Sequence, residues 1–197
     1  MKALNNKIRI RFIVTTGVFS AVAAALMMLS FSVPIMPSFI KLDFSELPAL
    51  IAAYAMGPMA GVSVCFLKNL INLPFSTTGC VGELSNFLLG CLFVIPAGVL
   101  YKIKRNRKMA ILGATFGALL MAIGSLPINY YLTYPIYSKF LPMESIIGMY
   151  QAIFPVVDNL FECLLIFNVP YTFVKGLLNA IIAFLIYKHI SKLIKGK

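Results

Sequence analysis

Apolar residues in this chain come in long unbroken runs, not in the alternation of a half-buried strand or the single stripe of a soluble amphipathic helix. Four runs, residues 12–31, 81–101, 109–134 and 169–187, are long enough to cross a hydrocarbon core of roughly 30 Å as α-helices. A fifth apolar region, 47–73, is divided by Gly57-Pro58, where a helix stops or turns, and predicts two short helices over about 47–56 and 58–73. Residues 146–167 have the length of a span but carry Pro155, Asp158 and Glu162, and are expected to form an external or interfacial, partly helical loop. Composition agrees: 60% of the 197 residues are hydrophobic and 12% are charged, about half the charge of an ordinary globular domain. The expected fold is an all-α integral membrane protein, a single membrane domain over residues 1–197 without internal repeats. Lys2, Lys7, Arg9 and Arg11 before an apolar run resemble a secretory signal, yet the run continues to Phe31 and more spans follow, which favours a first transmembrane helix.

The formal net charge of +11 raises nucleic acid as a partner, and the placement of the charges answers it. Thirteen of the seventeen basic residues fall in three acid-free clusters: Lys2, Lys7, Arg9, Arg11; Lys102, Lys104, Arg105, Arg107, Lys108; and Lys188, Lys192, Lys195, Lys197. The six acids, Asp43, Glu46, Glu83, Glu144, Asp158 and Glu162, all lie between them. This is the positive-inside pattern of three cytoplasmic segments facing anionic lipid, and it implies no nucleic acid. Clusters on one side must be separated by even numbers of crossings. Counting 47–56 and 58–73 separately satisfies that rule and gives six transmembrane helices, over roughly 10–33, 47–56, 58–73, 81–101, 109–133 and 169–188. External loops then fall at 34–46, 74–80 and 134–168, and both termini are cytoplasmic.

Catalytic apparatus is not visible. There is no phosphate-binding loop, nucleophile elbow or zinc-protease motif, and the single histidine, His189, lies in the basic tail. The expectation is a protein that is not an enzyme and has no metal or cofactor. Cys65 and Cys91 fall inside apolar helices, while Cys80 and Cys163 both fall in external segments, where no spacing motif indicates a disulfide. Polar residues within the spans say more. A lysine near mid-helix costs roughly 2.5–3.5 kcal/mol on insertion scales, so Lys68 and Lys175 need partners or a wet cavity. Asn72, Thr77, Glu83, Asn129 and Lys175 all fall toward the external ends of their helices, which gathers them on one face of the membrane. The loop that carries Lys41, Asp43 and Glu46 has two readings. It is a cap over that polar cluster, or it is a solvated loop beside asparagines that serve as interhelical hydrogen-bond glue.

The ordered series Lys41-Leu42-Asp43-Phe44-Ser45-Glu46-Leu47-Pro48, Gly57-Pro58-Met59-Ala60-Gly61, Lys68-Asn69-Leu70, Gly82-Glu83-Leu84-Ser85-Asn86-Phe87, Asn129-Tyr130-Tyr131 and residues 170–176 resembles a known family. It is similar to the riboflavin-specific substrate-binding (S) components of energy-coupling factor (ECF) vitamin transporters, over about residues 9–188. The resemblance implies a six-helix protein of the bacterial plasma membrane that binds riboflavin externally. It further implies delivery of the vitamin with a membrane coupling subunit and two ATP-hydrolysing subunits. Two positions depart from the family pattern: Pro170-Tyr171-Thr172 stands where Pro-Phe-Asn precedes the last-helix lysine, and Asn72 stands where a histidine often follows Lys-Asn-Leu. Thr172 lacks the paired donor and acceptor of an amide.

On this reading the candidate ligand-binding residues are Phe39, Lys41, Leu42, Asp43, Thr77, Thr78, Gly79, Glu83, Asn86, Phe87, Asn129, Tyr130, Thr172 and Lys175. Asn129 and Lys175 suit the carbonyl and N–H groups of a flavin's pyrimidine edge, and Phe39, Leu42 and Phe87 suit its apolar end. Thr77, Thr78 and Asn86 suit the ribityl hydroxyls, and Lys41 suits the phosphate of flavin mononucleotide (FMN). On the first helix Gly17, Ala21 and Ala25 recur every fourth residue as a smooth stripe. In the resembled family such a stripe meets the coupling subunit; the alternative is packing against the chain's own helices. Other readings are an S component for a different vitamin, or a self-contained secondary carrier, for which the sequence displays neither an inverted repeat nor a buried carboxylate pair.

Overall fold

The computed structural model describes residues 2–76 and 78–195, with side-chain surroundings for 9–76 and 78–186. Helix α1 (Lys2–Met28) leads into a two-stranded antiparallel ribbon, β1 (Phe31–Ser32) and β2 (Lys41–Leu42), with Phe31 opposite Leu42. There follow α2 (Glu46–Met56), α3 (Pro58–Asn72), α4 (Val81–Ile103), α5 (Arg107–Ile128), the short α6 (Tyr134–Tyr137), α7 (Met143–Gln151) and α8 (Leu160–Cys163), and finally α9 (Val169–Lys195). Among the described residues, four stretches are long and apolar enough to cross a membrane: Arg9–Met28, Val81–Ile103, Arg107–Tyr137 and Leu160–Ile186.

Helix α2 is the hub. It touches α1, α3, α4 and α9, and every residue from Glu46 to Tyr54 is buried, as expected of a helix apolar all round. It ends at Gly57, whose φ of +104° suits glycine, and Pro58 starts α3 at a position where its missing N–H costs nothing. Helices α4 and α5 approach so closely that a Cβ on Gly117 would lie 2.3 Å from the Phe93 carbonyl oxygen. Small residues bring backbones together in this way where lipid gives no hydrophobic drive.

The third loop is shorter than the sequence suggests. Helix α5 runs on through a π-helical segment, Asn129–Thr133, into α6, and α8 runs through a second one, Leu164–Asn168, into α9. The last long helix therefore begins at Leu160 instead of 169. Its start is a reciprocal cap: Asn159 Oδ1 accepts from the Glu162 N–H at 3.0 Å, the Asn159 amide donates to Glu162 Oε1 at 2.9 Å, and Glu162 Oε2 accepts from the Asp158 N–H at 3.0 Å. Each π segment precedes a proline, Pro135 or Pro170. A proline ring strikes the carbonyl four residues earlier in an α-helix. Those carbonyls, of Tyr131 and Ile166, lie in the π segments, whose wider turns relieve the clash.

Candidate ligand-binding site

A cavity of about 560 Å³ opens among the ends of α1, α3, α5, the start of α4, the β2 ribbon and the start of α9. It reaches α4 at residues 81–89, whereas the basic stretch around the α4–α5 turn begins at Lys102 in the last turn of α4, so the cavity lies at the end of the bundle away from that turn. The 102, 104, 105, 107 and 108 side chains are all exposed there.

Of the residues singled out in the sequence, Phe39, Lys41, Asp43, Thr78, Glu83, Asn86, Asn129, Thr172 and Lys175 line this cavity. Four others lie off its wall. Leu42 is buried in the ribbon, and Gly79, with φ +60°, sits against the Phe140 ring. Phe87 faces away on α4 and packs edge-on against Phe66, beside a small outer groove of about 140 Å³. Tyr130 points outward onto Tyr131 and Phe161. Thr77 falls outside the described residues. Asn72, expected on this face with the other polar residues, also lines the cavity, which further recruits Met27, Met28, Ser85, Met121, Tyr134, Tyr137, Asn168 and Tyr171. Tyr134, Tyr137 and Asn168 belong to the stretch expected to be loop, which is why they escape a reading based on spans.

Beneath one wall lies a charge network. Lys175 Nζ donates to Asp43 Oδ2 at 2.8 Å and lies 3.6 Å from Glu46 Oε2, and Lys68 Nζ donates to Glu46 Oε1 at 2.8 Å. Ser45 bridges the two pairs, its hydroxyl donating to Asp43 and accepting from Lys68. Asn179, one turn beyond Lys175, donates to the Lys175 carbonyl at 2.9 Å and to the Asp43 carbonyl at 3.5 Å. All four charged residues are buried. Two acids and two lysines sum to zero, the condition under which buried charge is tolerated.

Of the two readings of the first loop, the solvated one fails for Asp43 and Glu46, which are buried. One expectation is corrected: the fold does contain a buried carboxylate pair, matched by lysines from α3 and α9. Burial favours the neutral acid at Asp43, but the Lys175 and Lys68 ammoniums and hydrogen bonds from Lys175 and Ser45 outweigh it and hold the carboxyl below the usual carboxylate range.

The other walls carry amides and aromatics. Asn129 Oδ1 accepts from the Ser85 hydroxyl at 3.2 Å, which turns its N–H₂ group to other partners. Glu83 Oε2 accepts from Ser76 at 2.7 Å and from Thr78 at 3.3 Å. Above them, Tyr134, Tyr150 and Asn168 close a ring of hydrogen bonds: the two hydroxyls lie 2.5 Å apart, Tyr150 donates to Asn168 Oδ1 at 2.8 Å, and the Asn168 amide donates back to Tyr134 at 3.5 Å. The Phe39 ring enters this cluster with centroids 5.9–6.3 Å from Tyr134, Tyr137 and Tyr150. The first loop is thus clamped to α9 by Asp43 and to the third loop by Phe39. Cys80 and Cys163 are both free.

Compared with known proteins, residues 11–187 match the model of the ECF transporter substrate-specific component family. The chain belongs to this family. The S component is 32% identical to the riboflavin transporter RibU of Staphylococcus aureus (strain TCH60), over 93% of this chain and 92% of that one. It is 29% identical to the riboflavin transporter FmnP of Bacillus subtilis (strain 168), over 91% of each. A solved S component of a bacterial ECF transporter superposes with a TM-score of 0.75 at 30% identity, covering 95% of this chain and 99% of that one. These relatives are transporters, not enzymes, and with four membrane-length apolar helices the S component is a multi-pass membrane protein.

On α1 the S component turns Thr16, Ser20, Ala23 and Ala24 inward, whereas Gly17, Ala21 and Ala25 are exposed. A Cβ built on Gly17 meets nothing within 4 Å. The small-residue stripe therefore does not pack against the chain's own helices.

Proposed function

We propose that this S component captures riboflavin in the 560 Å³ cavity at the external face and releases it inward with a membrane coupling subunit and two ATP-hydrolysing subunits. The observation that carries the reading is the cavity itself, in a chain whose relatives are named riboflavin transporters. Its volume lies within the roughly 300–1,000 Å³ of sites for drug-sized ligands. Methionine, leucine and aromatic side chains suit the flat apolar end of a flavin. Asn129, whose oxygen is taken by Ser85 and whose N–H₂ has no partner among the described residues, Thr172 and Lys175 offer donors to the carbonyls of the polar edge. Thr78, Glu83 and Asn86 suit the ribityl hydroxyls, and Lys41, exposed at the mouth, suits the phosphate of FMN.

In this reading α2 and α3 complete six crossings of one membrane domain in the bacterial plasma membrane, with both termini and the 102–108 loop cytoplasmic. The exposed face at Gly17, Ala21 and Ala25 is where the coupling subunit docks. Riboflavin titration into the purified protein in detergent tests the proposal. One-to-one quenching of flavin fluorescence is expected, from stacking against aromatic walls. A response to thiamine or biotin with none to riboflavin would assign the cavity to another vitamin.

A further inference from the structure

On α9, Tyr171, Lys175 and Asn179 recur at four-residue spacing and share one face of the helix. Tyr171 lines the cavity, and its hydroxyl oxygen is closed off from solvent without a hydrogen-bond partner among the described residues. Among the described residues, the other such side-chain atoms belong to Thr16, Asn69 and Asn179, none of which lines this cavity. Two polar groups of the same wall are already engaged, Asn168 with both tyrosines of its ring and Lys175 with Asp43. A buried polar group left unpaired destabilises the protein that carries it, so such a group in a native structure asks for an explanation.

We propose that Tyr171 is a specificity-determining residue whose hydroxyl pairs with the polar edge of the bound ligand, beside Lys175. This rests on the riboflavin reading and refines it. The ligand class is a planar heterocycle whose edge alternates carbonyl, N–H and carbonyl. Lys175 can only donate to such an edge, whereas a phenol both donates and accepts and so can serve the N–H as well. Because the hydroxyl is shut off in the empty protein, pairing requires the ring to turn toward the incoming edge, a side-chain adjustment of the kind common on binding. The hydroxyl therefore has opposite effects in the two states: it is a burden on the empty protein and a contact in the occupied one.

Tyr171→Phe removes that atom and little else. The full chain, parent and variant, is titrated in detergent with riboflavin and with riboflavin methylated at the edge N–H, and the ligand-free melting temperature is recorded. The expected results are riboflavin binding weakened about tenfold in the variant, a melting temperature unchanged or raised, and a clearly smaller difference between the two proteins for the methylated ligand, since contacting groups are not additive. Equal riboflavin affinity in parent and variant overturns the proposal, as does an equal loss for both ligands. A fall in the ligand-free melting temperature also overturns it, because the hydroxyl would then be structural. A parent that ignores riboflavin in every titration overturns the riboflavin reading first, and this proposal with it.

Discussion

Lys175→Met keeps much of the side chain's length and apolar volume while removing its charge, so it isolates what the lysine does for the network under the cavity. In the parent, Nζ lies 2.8 Å from Asp43 and 3.6 Å from Glu46, with the three side chains 9%, 6% and 0% exposed. The variant leaves two buried acids to share Lys68. Orphaning one partner of a buried pair costs about 3–5 kcal/mol, a large fraction of the roughly 5–15 kcal/mol that holds a typical protein folded. Adding Asp43→Asn returns the sum of charges to zero, and the double variant is expected to recover about 2 kcal/mol or more of that loss. Loss of helicity in detergent titrated with dodecyl sulfate measures all three proteins. Acid supplies a second arm. The folded protein holds Asp43 below the ordinary carboxylate range. The stability contributed by its ionisation is therefore complete above the unfolded value of about 4, and it is lost as the pH falls from there toward the folded value. The parent should lose stability on that descent, and Asp43→Asn should lack that component. If Lys175→Met unfolds with the parent, or the double variant is weaker than either single one, charge balance is not what keeps these groups buried.

Asn129→Ala should weaken riboflavin binding by roughly ten- to a hundredfold, because it removes a buried donor worth about 1–3 kcal/mol, and should lower the ligand-free melting temperature slightly, because it also strips the Ser85 hydroxyl of its acceptor; fluorescence titration reads the loss of binding. Phe39→Ala removes a ring that contacts three tyrosines, each pair worth about 0.5–1.5 kcal/mol. It should accelerate riboflavin release by about tenfold or more, as measured by stopped-flow chase. Ala21→Trp or Ala25→Trp puts a bulky side chain on the exposed face of α1. Riboflavin binding should survive either change, while co-purification with the coupling subunit and uptake in cells that supply the ECF module are abolished; a complex that stays intact would move the docking surface to another helix.

The long spans were legible because an apolar run needs no partner to be recognised, and the division at Gly57-Pro58 was legible because both residues have one backbone meaning. The start of the last helix was legible in principle. Asn159-Leu160-Phe161-Glu162 is a capping signature, but Asp158 and Glu162 also read as charges unfit for a span, so the same residues carry two opposed local meanings. The pairing of Asp43 with Lys175 joins positions 132 apart, and no local pattern announces such a contact. Direction along a helix was the other gap. Phe87 follows Asn86 in sequence yet lies about 100° further round α4, off the cavity wall and against Phe66, while Tyr130 is turned outward next to an inward Asn129.

The π segments have a consequence for how this chain tolerates changes in length. A π turn is one extra residue absorbed on the spot, so the helix on either side keeps its own facing. Loss of one residue within 129–133 or 164–168 is expected to be local, taking the wide turn and the aim of Asn129 or Asn168 while both flanks stay packed. Loss of one residue a few positions later, between Thr172 and Lys175, has no such buffer. Everything beyond it would rotate by about 100°, and Gly176 would arrive where the ammonium now meets Asp43. Chains of this kind should therefore vary in length at these two turns and hold their count fixed from there to the lysine.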